Sequence, residues 1–484
     1  MVRVRAPQFP QNLTWLNSAA LSIASLRGQP ILLDFWTYGC INCLHILPEL
    51  HQLAEKYYSC LTLIGVHTAK FDAENTIAGI QGAIARYDIR HPVVVDHDRR
   101  IWDAYAVRAY PTFVLIDAQG YVVLTAIGEG QLARIESALQ ALVGSEATPA
   151  IAIPPPPDPH LESLRFPGKV LADRTSDRLF IADSGHHRIV VTDFLGQMSQ
   201  TIGQGQAGFQ DGDGIAAQFS HPQGLALDPE KQVLYVADTG NHAIRKIDLK
   251  TTQVSTIAGT GVQGPWLHPH GGLAQHVALN SPWDVLWHDR ALWIAMAGSH
   301  QIWRLDMVTN QLQTWAGTGA EGCFDGNAER AAFAQPSGLA TDGRSLFVAD
   351  CESSTVRAIA LDGDAIVTSV CGSGNLYDFG DLDGQGEGVR LQHCLGLAYD
   401  PSSNQPDLWV ADTYNHKIKR VNPATGQCKT MFTDFAEPAG LAIAQNWLFV
   451  ADTNQHRIVR LDWQTGDRCI LPLPQLCPPG LCRF

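Results

Sequence analysis

The sequence predicts a chain of two domains, the first of the α/β class and the second an all-β propeller of six blades. Three observations lead to this prediction. Residues 1–148 alternate strand-like and helix-like stretches, a proline-rich segment interrupts the pattern over 149–165, and one strand-rich unit then recurs six times over 166–472. Four-stranded units spaced 40 to 62 residues apart are typical of propeller blades. Residues 473–484 are interpreted as a C-terminal tail.

Composition and charge restrict the classes of function. Of the 484 residues, 45% are apolar and 17% are charged, as in ordinary globular proteins. The 48 acidic and 34 basic residues give a net charge of −14, which argues against nucleic acids and anionic membranes as partners, because both are bound through basic surfaces. No apolar run reaches the length of a membrane span, and the N-terminal segment lacks the apolar core of a secretory signal. Eleven scattered cysteines then fit a reducing compartment, so we expect a cytoplasmic protein.

The most informative motif of the first domain is a pair of cysteines separated by two residues, Cys40 and Cys43. The pair follows an apolar strand, Ile31 to Trp36, and opens a predicted helix from Leu44 to Tyr57 that contains Pro48. At the start of a helix, the dipole and the free N–H groups stabilise a thiolate, which is the reactive form of cysteine. The second cysteine can then attack a mixed disulfide and release the partner. The motif therefore predicts a redox site in which Cys40 is the exposed nucleophile of lower pKa and Cys43 is the buried resolving thiol.

Two other interpretations of the cysteine pair are inert core thiols and half of a zinc site. Zinc needs four ligands, and the only other cysteine in this domain is Cys60. Cys60 begins the next predicted strand, 60–66, where we expect it to be packed. The redox interpretation is therefore preferred, and the sequence predicts no metal and no other cofactor.

The repeated unit of the second domain reads Leu, an aromatic residue, Ile or Val, Ala and then, in five of six copies, Asp. The last residues of the six copies are Asp183, Asp238, Met296, Asp350, Asp412 and Asp452. Each copy is followed by a polar turn and a second alternating strand, and a Pro-x-Gly-Leu-Ala segment precedes most copies. These segments amount to four short strands per unit, so six units predict six blades.

Polar residues that recur in these units invite a metal interpretation. Five aspartates at one repeat position could form a ring around the propeller axis. The following turns contain the recurring histidines His186, His242, His300, His416 and His456. We expect instead that each aspartate caps its own turn through the backbone and that each histidine braces the same turn. Because Met296 interrupts the aspartate ring, we expect no metal on the axis.

Three further segments suggest ligands, and for each a structural interpretation is preferred. One loop between blades contains His268, His270 and His276. We expect that loop to be solvated. The Asp/Gly loops that begin at Asp211 and Asp381 lack the glutamate that a calcium loop needs at its twelfth position. Cys477 and Cys482 could form a disulfide, but a frayed tail with free thiols is the preferred interpretation in the cytoplasm.

Residues 13–143 resemble thioredoxin-fold proteins in the positions around the cysteine pair. Asp34 matches the buried acid that shuttles a proton to the resolving cysteine, although an aspartate at a strand end could also cap a turn. Trp36 matches the tryptophan packed beside the active site. Pro111 matches the cis-proline that faces the disulfide and leaves the backbone of Tyr110 free to pair with an extended substrate. The resemblance thus implies a catalytic set of Cys40, Cys43, Asp34 and Pro111, with Trp36 and Tyr110 at the substrate groove.

The turns Asp238 to His242 and Asp412 to His416 resemble NHL repeats. Over about residues 9–470, the combination of domains is similar to the NHL-repeat-containing thioredoxin-domain proteins, whose Cys-Ile-Asn-Cys signature is present here. The resemblance implies a thioredoxin-like thiol-disulfide oxidoreductase that acts on protein disulfides, with the propeller as the platform that binds protein partners. The alternatives are a non-catalytic interaction scaffold and a propeller-based lyase or hydrolase. The stiff, short proline linker further leads us to expect that a substrate protein touches both domains.

Overall fold

The computed structural model describes residues 3–143, 162–265, 270–363, 365–401 and 406–480. The chain divides into two units, 1–159 and 160–484. Most of the predicted linker, 149–161, lies outside the described residues. In the part of the chain that the structure describes, no helix combines the length and the apolar character needed to cross a membrane.

Among residues 3–143, the first unit forms a seven-stranded sheet with five α-helices. Its elements are β1 (Val4–Arg5), β2 (Thr14–Leu16), β3 (Ile31–Trp36), α1 (Ile41–His45), α2 (Leu47–Lys56), β4 (Thr62–His67), α3 (Ile77–Arg86), β5 (Val93–Val95), α4 (Arg100–Ala104), β6 (Thr112–Ile116), β7 (Tyr121–Ile127) and α5 (Leu132–Leu142). The strand order is β1-β7-β6-β3-β4-β5-β2, so β3 is the central strand. It pairs in parallel with β4 and antiparallel with β6. The predicted α/β class is therefore confirmed.

Every residue of β3 is buried, because helices cover both faces of the sheet. Leu33 and Phe35 point into one apolar layer, and Leu32 points into the other. Successive side chains of a strand alternate between faces, so Asp34 and Trp36 lie on the same face as Leu32. The central strand thus brings one carboxyl group into an otherwise apolar layer.

The helix predicted from Leu44 to Tyr57 is divided in the structure. The first segment, α1, ends at His45, Ile46 lies between the two helices, and α2 follows. Pro48 explains the division, because proline has no N–H to donate to the carbonyl four residues earlier and its ring clashes with that carbonyl. The cysteine pair therefore opens a short helix of its own.

The strand predicted to begin at Cys60 begins instead at Thr62. The carbonyl oxygen of Tyr57 accepts the N–H groups of Cys60 and Leu61 at 3.0 and 2.9 Å, so these two residues continue the turn after α2. Cys60 is buried, as expected, and its Sγ lies 3.6 Å from the same carbonyl oxygen.

In the described part of residues 162–480, the second unit forms six antiparallel sheets, which are the blades of a β-propeller. Blades 1 to 3 contain β8 (Pro167–Asp173), β9 (Arg178–Asp183), β10 (Arg188–Thr192) and β11 (Met198–Ile202); β12 (Pro222–Asp228), β13 (Val233–Asp238), β14 (Ala243–Asp248) and β15 (Val254–Ala258); and β16 (Gly272–Leu273), β17 (Pro282–His288), β18 (Ala291–Met296), β19 (Gln301–Asp306) and β20 (Gln311–Ala316). Blades 4 to 6 contain β21 (Gly326–Asn327), β22 (Pro336–Thr341), β23 (Ser345–Asp350), β24 (Thr355–Ala360) and β25 (Ile366–Cys371); β26 (Gly384–Gln385), β27 (Gly396–Asp400), β28 (Asp407–Asp412), β29 (Lys417–Val421) and β30 (Gln427–Phe432); and β31 (Pro438–Ala444), β32 (Trp447–Asp452), β33 (Arg457–Asp462) and β34 (Arg468–Ile470). The predicted six-bladed propeller is confirmed.

The repeated aspartates are buried, but they do not cap their own turns as predicted. One oxygen of Asp238 accepts the N–H of Ser220, at 2.7 Å, from the loop that precedes the blade. The other oxygen accepts from the side chains of Asn241, at 2.8 Å, and Arg245, at 2.7 Å. The ion pairs of this kind are Asp183 with Arg188, Asp238 with Arg245, Asp350 with Arg357, Asp412 with Lys419 and Asp452 with Arg457. A buried carboxylate needs such partners, so the aspartates serve the fold.

Blade 3 replaces the ion pair with an apolar pair. Met296 stands where the other blades have aspartate, and Trp303 stands seven residues later, at the position of Arg245 and Arg357. Met296 and Trp303 lie in one buried apolar cluster, and the Trp303 indole N–H donates to Gln301 at 3.1 Å. Because both positions changed together, neither an unpaired aspartate nor an unpaired arginine is left at this place in blade 3.

The recurring histidine joins neighbouring blades instead of bracing its own turn. His242 adopts a left-handed conformation with φ of 49°, and its Nδ1 accepts the N–H of Ser281 from the next blade at 3.0 Å. In the equivalent bonds, a backbone N–H of the next blade donates to Nδ1 of the histidine. The donor and acceptor residues are His221 and His187, Gln335 and His300, Glu437 and His416, and Phe166 and His456. In blade 1 the bridging residue is His187, whereas His186 contacts Asp183 of its own turn at 3.0 Å, as predicted. The bond between His456 and Phe166 joins the last blade to the first.

The C-terminal tail packs on blade 1 over residues 471–480, which corrects the expectation of a frayed tail. Leu471 and Leu476 are buried in the apolar layer shared by the first and last blades. The tail passes so close to Gly196 that a Cβ there would lie 1.9 Å from the carbonyl oxygen of Pro472. Cys477 is disulfide-bonded, so the expectation of a free thiol at this position is also wrong. Cys482 lies outside the described residues.

An ion pair between Lys169 and Asp284 lies where the inner strands of the six blades converge. Asp284 also accepts the N–H groups of Val285 and Leu339 at 2.8 and 2.9 Å. The cavity at this point has a volume of about 20 Å³. Within the described residues, no group of three or more His, Cys, Asp or Glu side chains is arranged to hold a metal.

The Asp/Gly loops direct their first aspartates toward basic side chains. Asp211 contacts Arg245 at 2.7 Å, and Asp381 contacts Lys419 at 2.9 Å. These contacts give both loops a structural role in holding the buried cation of the blade. In the loop with three histidines, His270 and His276 are exposed, and His268 lies outside the described residues.

Candidate active site

Cys40 and Cys43 lie where the central strand β3 leads into α1. Cys40 is the N-cap of α1, and its carbonyl oxygen accepts the N–H groups of Cys43 and Leu44 at 3.0 and 3.2 Å. The Cys40 side chain makes no capping hydrogen bond, so its sulfur does not bind the backbone N–H groups at the start of α1. Cys40 is half-buried and Cys43 is buried, which agrees with the predicted order of exposure.

The thiols of Cys40 and Cys43 are close enough to share a hydrogen bond. Burial raises the pKa of the Cys43 thiol well above its ordinary value, and the hydrogen bond to Cys40, the charge of Cys40 and the charge of Asp34 raise it further. Cys43 is therefore protonated at neutral pH and needs an acceptor for its proton before it can attack a disulfide.

Asp34 is a carboxyl group that could accept the proton of Cys43. It is fully buried, both of its oxygens lack a hydrogen-bond partner among the described residues, and its charge acts on Cys43. Burial raises the pKa of Asp34 from an ordinary 3.8 to about 8. The group therefore exchanges its proton near physiological pH, and the described hydrogen bonds do not include the turn cap considered as an alternative.

Replacing Asp34 with Asn is expected to stabilise the first domain. Between pH 4 and pH 8 the Asp34 carboxyl group is ionised in the unfolded chain but still protonated in the folded domain. Its contribution to the free energy of unfolding therefore falls as the pH rises through this range. Asn does not titrate, so the gain is absent below pH 4 and grows with pH to about 5 kcal/mol at pH 8, at about 1.4 kcal/mol per pKa unit. Urea unfolding of Asp34→Asn and the parent at pH 4 and pH 8 measures it, and an equal effect at both pH values would contradict it.

Tyr110 and Pro111 are joined by a cis peptide bond, as the resemblance predicts. The Tyr110 hydroxyl donates to the carbonyl oxygen of Thr68 at 2.7 Å, and its pKa is raised, chiefly by burial, with smaller effects from the charges of Glu74 and of both thiols. Tyr110 therefore lies near the cysteine pair. Contact of the Pro111 ring with the two sulfurs remains a prediction.

Trp36 is only 1% exposed, so it lies beneath the site and does not line the predicted substrate groove. Its ring contacts His67 edge-on with centroids 5.0 Å apart, and Tyr38 stacks on His67 at 5.6 Å. The indole Nε1 has no hydrogen-bond partner among the described residues.

Glu74 is a site residue that the sequence analysis missed. Its buried carboxyl group accepts three backbone N–H groups, from Gly39 at 2.9 Å, Lys70 at 2.7 Å and Phe71 at 2.9 Å. Burial raises the pKa of Glu74, and these backbone bonds oppose the rise. Because Gly39 directly precedes Cys40, Glu74 fixes the loop that presents the nucleophile. Glu74 lies 35 residues from Gly39, and one sequence gives no sign of that contact.

His45 and Glu129 form a second missed contact. The His45 ring Nδ1 lies 2.8 Å from a carboxylate oxygen of Glu129, and both side chains are largely buried. The neighbouring Gly128 donates its N–H to the carbonyl oxygen of Pro111 at 2.9 Å. The loop after β7 therefore connects the helix of the cysteine pair with the cis-proline segment.

Two family models match the chain. Residues 28–122 match a model described as thioredoxin-like, and residues 219–247 match a model described as an NHL repeat. The first match includes both cysteines, Asp34 and the cis-proline, and the second includes most of blade 2. The fold of the first unit is accordingly thioredoxin-like, and the propeller is built from NHL repeats.

Three relatives extend the comparison. NHL repeat-containing protein 2 from Bos taurus is 41% identical over 529 residues, which cover 96% of this chain and 71% of that protein. Protein SUPPRESSOR OF QUENCHING 1, chloroplastic, from Arabidopsis thaliana is 41% identical over 498 residues, which cover 95% of this chain and 47% of that protein, so the chain spans about half of its length. Thiol-disulfide oxidoreductase ResA from Bacillus cereus is 31% identical over 137 residues, which cover 28% of this chain and 76% of that protein. Both domains and nearly the whole chain are shared with the cattle protein, and the chain therefore belongs to the family of NHL repeat-containing protein 2.

Proposed function

We propose that the chain is a thioredoxin-like thiol-disulfide oxidoreductase that acts on protein disulfides, with Cys40 as the nucleophile and Cys43 as the resolving thiol. The observation that supports the proposal most directly is the unequal burial of two adjacent thiols above a buried carboxyl group. The similarity to a thiol-disulfide oxidoreductase supports the same chemistry.

In the proposed reaction, the Cys40 thiolate attacks one sulfur of a substrate disulfide. A mixed disulfide with Cys40 forms, and the other substrate sulfur leaves as a thiolate. Cys43 then gives its proton to the Asp34 carboxylate, and the Cys43 thiolate attacks Cys40 Sγ. This step forms the Cys40–Cys43 disulfide and releases the second substrate thiolate, so the substrate gains the two electrons that the dithiol loses. An external dithiol reductant restores the pair.

A redox titration of the Cys40–Cys43 pair, combined with reduction of insulin disulfides by the full chain, tests the proposal. We expect one two-electron transition and turnover that depends on a dithiol such as dithiothreitol. A pair that exchanges with no disulfide in either assay would favour the interaction scaffold, in which the thioredoxin-like domain is only a docking module.

We expect a short pulse of iodoacetamide at pH 7 to label Cys40 before Cys43. Cys40 is half-buried and has no capping hydrogen bond, whereas burial raises the pKa of the Cys43 thiol. Peptide mass spectrometry after acid quenching measures the order, and the exposed Cys469 serves as an internal reference for an accessible thiol. Labelling of Cys43 first would reverse the assigned roles.

We further propose that the propeller selects the protein partner. A six-bladed propeller offers broad, rigid faces, and NHL propellers are of a kind that mediates protein interaction. Binding through a second surface would raise the effective concentration of a substrate at the thiol pair.

If the propeller selects partners, two Cys43→Ser proteins should capture different sets of substrate proteins. One comprises the full chain, and the other comprises residues 1–148. Each retains Cys40 and should hold its substrates as mixed disulfides, because the resolving thiol is missing. We expect the full chain to capture fewer kinds of protein, and each more efficiently. Gel electrophoresis and mass spectrometry compare the two sets. Identical sets captured with equal efficiency would show that the propeller does not select substrates.

A cytoplasmic location is also a proposal. Nine of the ten cysteines among the described residues are free thiols, which fits a reducing compartment, and Cys477 is the one in a disulfide. The Arabidopsis relative is described as chloroplastic, and a reducing organelle would satisfy the same chemistry. Fractionation of the source cells with an antibody to the chain distinguishes these locations.

A further inference from the structure

We propose that the proton received by Asp34 leaves the domain along a buried route that passes over Gly65 to His91 and then to His51. The proposal rests on the proposed function, since this proton is the one released when Cys43 attacks the mixed disulfide.

The strand register places Gly65 beside Asp34. In the parallel pair of β3 and β4, Asp34 is opposite Gly65 and Trp36 is opposite His67. Neighbouring strands lie about 4.8 Å apart, and paired residues direct their side chains to the same face of the sheet. Because Gly65 has no side chain, its backbone leaves room for other groups next to the Asp34 carboxyl group.

Two ring nitrogens approach that position. A Cβ placed on Gly65 would lie 2.9 Å from Trp36 Nε1 and 3.1 Å from His91 Nε2, so both atoms converge on the same point. A larger residue at position 65, as at the other buried strand positions, would push the indole and the imidazole away from each other. Glycine is therefore needed for the two polar groups to meet beside Asp34.

The polar atoms around this point share one property: they are buried and lack a hydrogen-bond partner among the described residues. They are both carboxyl oxygens of Asp34, Trp36 Nε1, His67 Nε2 and His91 Nε2. Buried polar atoms in proteins are nearly always paired, with protein groups or with ordered water. Trp36 Nε1 and His91 Nε2, which converge beside Gly65, and the Asp34 carboxyl group on the paired strand position supply the two to four partners that a buried water requires. The geometry thus points to bound water over Gly65 that bridges Asp34 and His91.

His51 continues the route to the surface. It lies on α2, is half-buried, and is close enough to His91 for its charge to act on the His91 ring. Its Nε2 also lacks a partner among the described residues. The charged groups that act on His51 are Asp88, Arg90 and Glu55, and Arg90 pairs with Asp88 at the exposed surface at 2.6 Å.

Cys43, His97, Trp36 and Tyr38 are the remaining groups that face the residues of the route. Asp34 faces Cys43, and His67 faces His97, Trp36 and Tyr38. His67 also has a neighbour near the solvent, the exposed His97, but the histidine whose ring approaches the Gly65 position is His91.

Protons balance along this route without any change of oxidation state. Asp34 gives its proton to the bridging water, the water gives one to His91 Nε2, and His91 releases one from Nδ1 toward His51 and solvent. Burial lowers the pKa of His91 to about 3, against about 8 for Asp34, so the transfer is uphill by a factor of about 10⁵. Such a transfer is still far faster than disulfide exchange, which takes seconds or longer.

The test follows Cys43 directly, in the full chain with Cys323→Ser and Cys469→Ser to remove two other accessible thiols. An aromatic disulfide reagent with a coloured leaving thiolate reacts first with Cys40 and releases one thiolate. Attack by Cys43 then releases the second. Because the pKa of Asp34 is about 8, the group is mostly protonated at pH 7 and must lose its own proton along this route before it can accept one from Cys43. We therefore expect His91→Phe to slow the second release about tenfold and Gly65→Ala to slow it by a similar factor, because general acid–base groups contribute factors of this order or larger. The first release should not change.

Three measurements separate a proton route from a purely structural role. His91→Gln provides a second variant if His91→Phe does not fold. The solvent deuterium isotope effect on the second release should increase in the histidine variants, because proton departure becomes rate-limiting. His97→Phe, which alters an exposed histidine of the same domain, should leave both phases unchanged.

Each outcome distinguishes the two proposals. If the parent protein shows no second release, the proposed oxidoreductase function fails. If the parent shows it and His91→Gln and Gly65→Ala match the parent in rate and isotope effect, the proton route is wrong while the function stands. Slowing by His97→Phe equal to that by His91→Gln would also overturn the route.

Discussion

Replacing Cys40 with Ser is expected to lower the rate of disulfide reduction by about a thousandfold or more, because a serine hydroxyl at neutral pH is not ionised and cannot attack sulfur as a thiolate does. The fold should be unaffected, since the Cys40 side chain makes no capping hydrogen bond. Insulin reduction by the full chain, with a circular dichroism spectrum as a check of the fold, measures the effect.

Cys43→Ser should fail in a different way. The first attack by Cys40 remains possible, so this variant should accumulate a mixed disulfide and stop before the second release. Cys469→Ser is the control, because Cys469 is exposed and lies in the propeller. If disulfide reduction survives Cys40→Ser but is lost in Cys469→Ser, the reactive thiol lies in the propeller, and the proposal is refuted.

The features that sequence reasoning predicted well are those with a local pattern. The central strand from Ile31 to Trp36 begins and ends where its apolar run does, because a strand buried on both faces needs a continuous apolar run. The six repeat units became six blades for a similar reason, since each repeat is a supersecondary unit with its own strand pattern. The cysteine pair and Asp34 were identified because their spacing from that strand is fixed.

Most of the errors have a different cause, which is contact between residues that are distant in the sequence. The repeated aspartates looked like local turn caps, yet Asp238 binds an amide 18 residues earlier and a cation 7 residues later. Glu74 reaches the loop before Cys40 from a separate helical turn, and His242 bonds to the next blade. In two blades the sequence shows an arginine seven residues after the aspartate. In blade 3 both residues are replaced together, by Met296 and Trp303, and this joint replacement was the available signal that the two positions form an ion pair.

Replacing Arg245 with Met is expected to destabilise the propeller by about 3–5 kcal/mol, the range for breaking a buried ion pair at one end. Arg245 is fully buried and contacts Asp238 and Asp211, both at 2.7 Å, and the carbonyl oxygens of Gln218 and Gln210, both at 2.8 Å. Without it, the Asp238 carboxylate is left in the interior without its cation. The midpoint of urea unfolding, followed by near-ultraviolet circular dichroism of the full chain, measures the loss.

Arg304→Met is the matched control, because Arg304 lies on the equivalent strand of the next blade but is partly exposed and pairs only loosely with Asp306, at 3.3 Å. Exposed pairs contribute at most about 1 kcal/mol, so its loss should be small. A comparable loss in both variants would mean that the effect comes from removing any long side chain from a blade.

The decisive variant transfers the apolar pair of blade 3 into blade 2. Asp238→Met with Arg245→Trp removes both charges, and exchanging a whole buried ion pair for apolar residues is often close to neutral. We expect the double variant to recover most of the stability lost in Arg245→Met, to within about 2 kcal/mol of the parent. A double variant less stable than Arg245→Met would show that the ion pair is required for the fold of blade 2.

The pH dependence of Arg245→Met gives an independent check on the physical cause. Burial already raises the pKa of Asp238 to about 6, and loss of the arginine removes the charge that holds it down. An acid with a raised folded pKa lowers stability as pH rises from its unfolded value toward its folded value. The deficit of the variant should therefore be smaller at pH 4 than at pH 7, since a protonated Asp238 is neutral and needs no cation. A deficit that is the same at both pH values would assign the loss to packing around the missing guanidinium instead of to the unpaired charge.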